Sequence, residues 1–214
     1  LYINCDTNDA VERALLDAVD GDTVFFIPGS YEGSFICGND GVTIEGSEDD
    51  LSVIEAEGIT SPALSIAGDD VTVRHLTIIN GYLPGGAASA DYQQSGIYVD
   101  AQGTTLNRIN VTTCYAGIYM TSSASDLVAN RCDLHDNVFG MNLSGTDITI
   151  SGCEIYENDA GATAYGILFT NTAANIVISG CRITGHYDGL NGFAISNNSS
   201  ATAEAVHNWW GSET

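Results

Sequence analysis

Leu76-Thr77-Ile78, Ile109-Asn110-Val111, Cys132-Asp133-Leu134, Cys153-Glu154-Ile155 and Cys181-Arg182-Ile183 are five copies of one short passage, and their reading decides the fold. Each copy is preceded three residues earlier by Val73, Leu106, Ala129, Ile150 or Ile178. Most are followed by a glycine pair: Gly96-Ile97, Gly117-Ile118, Gly140-Met141 or Gly166-Ile167. Successive copies lie 33, 23, 21 and 28 residues apart, a spacing that suits stacked repeats. Apolar residues two apart, in short β-branched runs punctuated by Gly, Asn, Ser and Asp, turn one strand face inward.

Asp40-Gly41, Asn80-Gly81 and Asp188-Gly189 are hairpin-type pairs, but none joins two of the repeated runs by a two-residue loop. The same inward position recurs in every copy, so each strand is expected to pair in parallel with its counterpart about 4.8 Å away. The architecture predicted is all-β: a single-domain right-handed parallel β-helix solenoid of about eight coils. Helical periodicity is confined to the start, where Thr7 or Asn8 caps a helix with an apolar stripe of Ala10, Val11, Ala14, Leu15, Ala18 and Val19. That helix is expected to plug the first coil, whose open edge would otherwise invite aggregation. The domain thus divides into a strand and capping helix (1–21), coils (22–206) and a closing Asn-Trp-Trp-Gly segment (207–214).

Charge is the second strong signal. Twenty-eight acidic residues stand against five arginines and no lysine, giving a net charge of −23. Such a surface argues against nucleic acid and anionic membranes, whose binding depends on cationic side chains. It suits a salt-adapted or cell-surface protein, where molar salt screens repulsion beyond roughly 3 Å. No apolar run is long enough to span a membrane. The sequence begins at Leu1 and not at Met, which points to processing or truncation upstream.

Of six cysteines, Cys132, Cys153 and Cys181 share the inward register and read as core thiols. A disulfide along that ladder would need strain, because its Cβ atoms prefer a separation of about 3.5–4.5 Å. Cys114 falls five residues after Ile109, matching Asn137, Asn158 and His186, and so is assigned to a turn ladder and not to the core. Cys5 and Cys37 flank the first coil and are the disulfide candidates. There is no Cys-x-x-Cys spacing for a four-cysteine metal site.

The helix followed by Asp20-Gly21-Asp22-Thr23-Val24, then Pro28-Gly29-Ser30-Tyr31 and Val42-Thr43-Ile44-Glu45-Gly46, resembles the opening of β-helix proteins of the pectin-lyase-like superfamily. Within it the coils are most similar to archaeal cell-surface and NosD-like β-helix repeat proteins, and His207-Asn208-Trp209-Trp210-Gly211 resembles the terminus frequent in the archaeal ones. The resemblance covers nearly the whole chain and implies fold more than activity. Lyases of the superfamily use a basic residue with aspartate-held calcium, and polygalacturonases use clustered aspartates with Gly-His-Gly and Arg-x-Lys. Neither set is present: Gly185-His186-Tyr187-Asp188 is a partial echo, and Arg108, Arg131 and Arg182 look scattered through the coils.

Asp136 and Glu157 hold equivalent places, four residues after Cys132 and Cys153, and are expected to stack about 4.8 Å apart. They are a candidate calcium or sodium site, a candidate glycosidase pair, or simply solvated carboxylates. Asp133, Glu154 and Arg182 form the adjoining outward ladder. Two insertions, Asn80 to Ser95 with Tyr82 and Tyr92, and Asp159 to Tyr165, are the candidate contact loops. Trp209 and Trp210 are candidate ligand or subunit contacts, closing the end as a lid or docking a second molecule head to tail. Sequons place candidate glycosylation at Asn110, Asn142, Asn197 and Asn198.

The functional expectation is a non-catalytic extracellular structural protein, a self-assembling subunit of an archaeal surface layer or filament, with no cofactor beyond that cation. Its partners would be copies of itself and glycans. The alternatives are a glycan-binding surface module, and a polysaccharide lyase or glycosidase.

Overall fold

In a computed structural model, residues 1–49, 51–56, 61–80, 94–158, 165–170, 172–185 and 193–211 are described. Tyr82, Tyr92, His186 and most of both insertions lie outside the described residues.

The repeated passage forms strands that wind through three parallel sheets of nine, seven and seven strands. The first sheet contains Thr72–Arg74, Thr105–Asn107, Ser125–Asn130, Thr146–Ser151 and Ala174–Ser179. The second contains Thr77–Ile79, Asn110–Thr112, Asp133–His135, Glu154–Tyr156 and Arg182–Thr184. The third contains Ile97–Val99, Ala116–Met120, Phe139–Leu143, Tyr165–Phe169 and Phe193–Asn197. Register follows the sequence alignment: Ile78 pairs with Val111, Val111 with Leu134, Leu134 with Ile155 and Ile155 with Ile183. These residues and the column Val73, Leu106, Ala129, Ile150 and Ile178 are sealed from solvent or nearly so. A full turn needs a strand from each sheet, and two sheets have seven, so there are about seven turns instead of eight.

The N-terminal helix spans Asn8–Asp17, with the Thr7 hydroxyl accepting from the Ala10 N–H at 3.3 Å. Val11, Ala14 and Leu15 bury its inner face over the first coil. Val19 does not join them: the helix has ended, and this side chain is exposed. No described helix is long and apolar enough to cross a membrane.

From the third coil on, the described corners on either side of the second sheet are each turned by one residue with positive φ. Between the first and second sheets these are His75, Arg108, Arg131, Gly152 and Gly180, at φ of 54–63°. Between the second and third they are Thr113, Asp136, Glu157 and Gly185. A left-handed residue reverses the chain in one step, which keeps every coil in register with the last. The glycine column Gly96, Gly117 and Gly140 has a different cause, close approach. A Cβ on Gly117 would lie 2.7 Å from the Gly140 carbonyl oxygen, and one on Gly140 would lie 2.7 Å from Ile155 Cγ2.

The cysteines are all free and buried. Cys132, Cys153 and Cys181 line the core as expected, and a hydrogen bond from its own thiol to the neighbouring Cys153 sulfur, then burial, keeps Cys181 protonated. Cys5 and Cys37 are not bonded to each other, which corrects the disulfide expectation. Cys5 closes the Tyr2–Cys5 strand in the first sheet and faces Ala10 O at 3.6 Å, whereas Cys37 ends a strand of the third sheet and faces Asn39 O at 3.8 Å. Cys114 also departs from expectation: it is fully buried, because the ladder it joins runs inside the corner. Asn137 Oδ1 accepts the Cys114 N–H at 2.9 Å, and its Nδ2 donates to Val111 O at 3.1 Å and Asn158 Oδ1 at 2.9 Å.

Candidate functional site

The outer face of the second sheet gathers most of the unusual polar residues. Alternation sends Val111, Leu134 and Ile155 inward, so their neighbours point out in two columns. One is Asn110, Asp133, Glu154 and Arg182; the other is Thr112, His135, Tyr156 and Thr184. The corner residues flank them, Arg108 and Arg131 on one side and Asp136 and Glu157 on the other.

Within this grid Arg182 donates to Glu154 at 3.2 Å, the ion-pair step expected of the outward ladder. His135 and Tyr156 stack with ring centroids 5.1 Å apart and planes 12° apart. His135 Nδ1 lies 2.7 Å from Asp136 Oδ2. Burial, reinforced by Asp133, Glu157 and Asp136, pushes the Tyr156 phenol up, so it stays a proton donor. Asp136 and Glu157 occupy equivalent left-handed positions as the spacing predicted, but Asp136 is engaged by its own neighbour, His135. Among the described residues no group of three or more His, Cys, Asp or Glu is arranged to hold a metal ion.

Trp209 continues the column beyond Arg182. It bridges to Arg182, its N–H donates to Cys181 O at 2.8 Å, and the Arg182 guanidinium lies 5.2 Å from its ring centroid. Asn208 anchors the step by accepting from the Cys181 N–H and donating to Ile178 O, both at 2.9 Å. Trp209 therefore extends the second sheet's face instead of folding over the end of the solenoid as a lid. Trp209 and Trp210 are 51% and 46% exposed, open to a ligand.

At the corner between the first and second sheets a cleft of about 330 Å³ is lined by Glu48, His75, Arg108, Ile109, Asn110, Arg131 and Asp133. Ligand pockets run from about 300 to 1,000 Å³, so this one suits a small unit. Arg108 and Arg131, which looked scattered in the sequence, are neighbours on consecutive coils. The signal was present: each stands immediately before an inward residue of the repeat, as His75 stands before Leu76.

The sequons fall unevenly. Asn197 and Asn198 are exposed, and Asn110 lines the cleft. Asn142 is 6% exposed within Phe139–Leu143, too enclosed to carry a glycan in the folded chain.

Several solved structures share this fold. An alginate lyase from Paenibacillus sp. str. FPU-7 superposes with a TM-score of 0.74 at 16% identity, over 95% of this chain and 75% of the lyase. The pectate lyase Pel9A gives 0.61 at 12% identity, over 94% and 72% of the two chains. A tailspike protein from Acinetobacter baumannii bacteriophage Fri1, a capsular polysaccharide depolymerase, gives 0.57 at 14%, over 92% and 45%. No curated protein matches the chain in sequence. The model of the right handed beta helix region matches residues 34–209, and the chain belongs to that family, as a pectin-lyase-like right-handed parallel β-helix.

Proposed function

We propose that this protein is an extracellular glycan-binding module that lays a polysaccharide strand along the outer face of its second sheet. The observation that carries the reading is the grid itself: donors (Arg108, Arg131, Asn110, Arg182), acceptors (Asp133, Asp136, Glu154) and ring surfaces (Tyr156, Trp209) repeat at coil spacing on one exposed face. Hydroxyl-rich chains need such mixed hydrogen-bonding partners with an amphipathic aromatic platform. A predominantly neutral glycan is also the extended polymer that a surface of charge −23 does not repel.

The structural neighbours include an alginate lyase, a pectate lyase and a capsular polysaccharide depolymerase, which supports the same class of ligand. The His135–Asp136 pair beside Tyr156 supports a second reading, cleavage of the bound strand by acid–base chemistry. The assembling-subunit reading drew on Trp209, and the position of that ring beside Arg182 on this face favours a glycan contact.

A glycan array followed by calorimetry tests the proposal. Binding of an oligosaccharide is expected, weakened at least fivefold by Trp209→Ala or Tyr156→Ala, as for a contact worth about 1 kcal/mol. Failure to bind any glycan at low and at high salt would sink it.

A further inference from the structure

We propose that the cleft between Arg108 and Arg131 is a subsite for a carboxylated sugar, so that the bound glycan is a largely neutral chain carrying isolated acidic units. The inference rests on the glycan-binding reading and names a feature of the ligand that this reading leaves open.

Charge is the first observation. Among the five arginines, Arg74 is bound to Glu45 at 2.9 Å and Arg182 to Glu154 at 3.2 Å, and Arg13 belongs to the N-terminal helix. Arg108 and Arg131 have no ion pair among the described residues, yet they stand one coil apart at the same corner and line the same cleft. On a surface of net charge −23 the two guanidiniums stand side by side, in a lining where Glu48 and Asp133 balance their charge.

Hydrogen bonding is the second and independent observation. His75 is only 8% exposed, and its Nδ1 has no hydrogen-bond partner, the facing carboxylate oxygen of Glu45 lying 4.0 Å away; Asn110 Oδ1 is likewise buried without a partner. Both residues line this cleft. An unsatisfied buried polar atom costs about 1–3 kcal/mol, so a ligand that supplies both partners gains where the free protein loses. Sugar hydroxyls, which both donate and accept, can serve the ring nitrogen and the amide oxygen when the His75 and Asn110 side chains turn into the cleft.

The same lining selects among anions. Glu48 and Asp133 sit with the arginines. Sulfate, which offers only acceptor oxygens near neutral pH, would meet those carboxylates with nothing to donate. A sugar acid places its carboxylate on the guanidinium pair and turns hydroxyl donors toward Glu48 and Asp133. A homopolymer of acidic units would instead suffer repulsion at every unit beyond the cleft, over a screening length of about 8 Å at physiological salt. Isolated acidic units avoid that cost.

Calorimetry with three matched oligosaccharides tests this: a neutral chain, the same chain bearing one glucuronate, and an oligogalacturonate. The glucuronate-bearing chain is expected to bind at least tenfold tighter than the neutral one, and the oligogalacturonate less well than the singly acidic chain. In the Arg108→Gln, Arg131→Gln double variant the preference should vanish, and any fall in neutral-chain affinity should be the smaller change. The His75 ring resonances should shift on adding the acidic chain and not on adding sulfate. Equal affinity for neutral and acidic chains, a preference retained by the double variant, or equal competition by sulfate would each overturn the subsite and leave glycan binding standing. Binding of none of the three probes would overturn both.

Discussion

The two corners that flank the second sheet use the same backbone and do different work. His75, Arg108 and Arg131 turn one with φ of 56, 54 and 54°, and Thr113, Asp136 and Glu157 turn the other with φ of 55, 55 and 50°. The left-handed conformation costs each of them roughly 1–2 kcal/mol, so neither corner is cheaper by conformation. What differs is the layer beneath. Under the second corner, Cys114, Asn137 and Asn158 hydrogen-bond from coil to coil inside the core. Under the first lie Leu76, Ile109 and Cys132, and the coil-to-coil contact there is a longer sulfur bond, Cys132 N–H to Cys153 Sγ at 3.4 Å. A corner stitched by amides is a structural seam, whereas a corner held by apolar and sulfur contacts is left with a cleft and with unsatisfied atoms.

The largest test of that contrast is alkaline pH acting on the seam. Burial pushes the Cys114 thiol from 9.0 up to about 12, against a smaller opposing hydrogen bond from the Asn80 backbone. The folded chain keeps this proton while the unfolded chain releases it. The contribution is therefore fully present below pH 9 and is lost as pH rises toward 12, about 4 kcal/mol in total. Denaturant unfolding at pH 8, 10 and 11 should show the decline, and Cys114→Asn, which continues the amide ladder without a titrating group, should flatten it. Thiol hydrogen bonding to Cys153, then burial, raises Cys181 as well, so some slope persists in the variant. Parallel slopes in the two proteins would remove Cys114 from the account.

Next in size is the amide ladder itself. Asn137→Ala leaves the Cys114 N–H and the Val111 carbonyl oxygen without the partners they have now, and deletes the bond to Asn158. About 3 kcal/mol of stability should go, measurable as a lower denaturation midpoint at unchanged slope. A loss below 1 kcal/mol would mean that the second corner is no more stitched than the first.

How far these corners could be read beforehand follows from what each leaves in the sequence. Apolar alternation fixes Ile78, Val111, Leu134 and Ile155 as inward residues, and the equal spacing of Asp136 and Glu157 after their cysteines correctly stacks them. Thr7 as the helix cap is legible for the same local reason. Cys114 was misplaced because a turn residue was assumed to lie outside the core, and hydrogen-bond direction leaves no periodic trace. The sequence leaves Trp209 open between a lid and a docking contact because the repeat motif weakens there, although Asn208 still closes the hydrogen bonds of another partial coil. The cleft escaped because its cations sit at the position before the repeated passage, where Gly152 and Gly180 replace them in later copies. Glu48 belongs to no repeat at all. The missing partner of His75 Nδ1 is a property of packing alone.

The smallest expected effect separates the corners most cleanly. Arg131→Gly places glycine where Gly152 and Gly180 already stand in the same column, and relieves a left-handed arginine at φ 54°. The site tolerates it: at the next coil, even a Cβ built on Gly152 would meet Arg131 Cγ only at 3.6 Å. Relief of about 1–2 kcal/mol is offset by glycine's extra freedom in the unfolded chain, about 0.5–1 kcal/mol, so a net gain of about 0.5–1 kcal/mol is expected. For a chain of this size that raises Tm by about 2 °C. Asp136→Gly, at φ 55° on the opposite corner, relieves the same strain but also loses the His135 contact at 2.7 Å, so its gain should be smaller. The two must then part in binding: Arg131→Gly should lose the preference for an acidic glycan, and Asp136→Gly should keep it. Scanning calorimetry of both variants beside the oligosaccharide titrations reads both quantities. Loss of the preference in both would mean that the corners form one electrostatic unit and not a seam and a site.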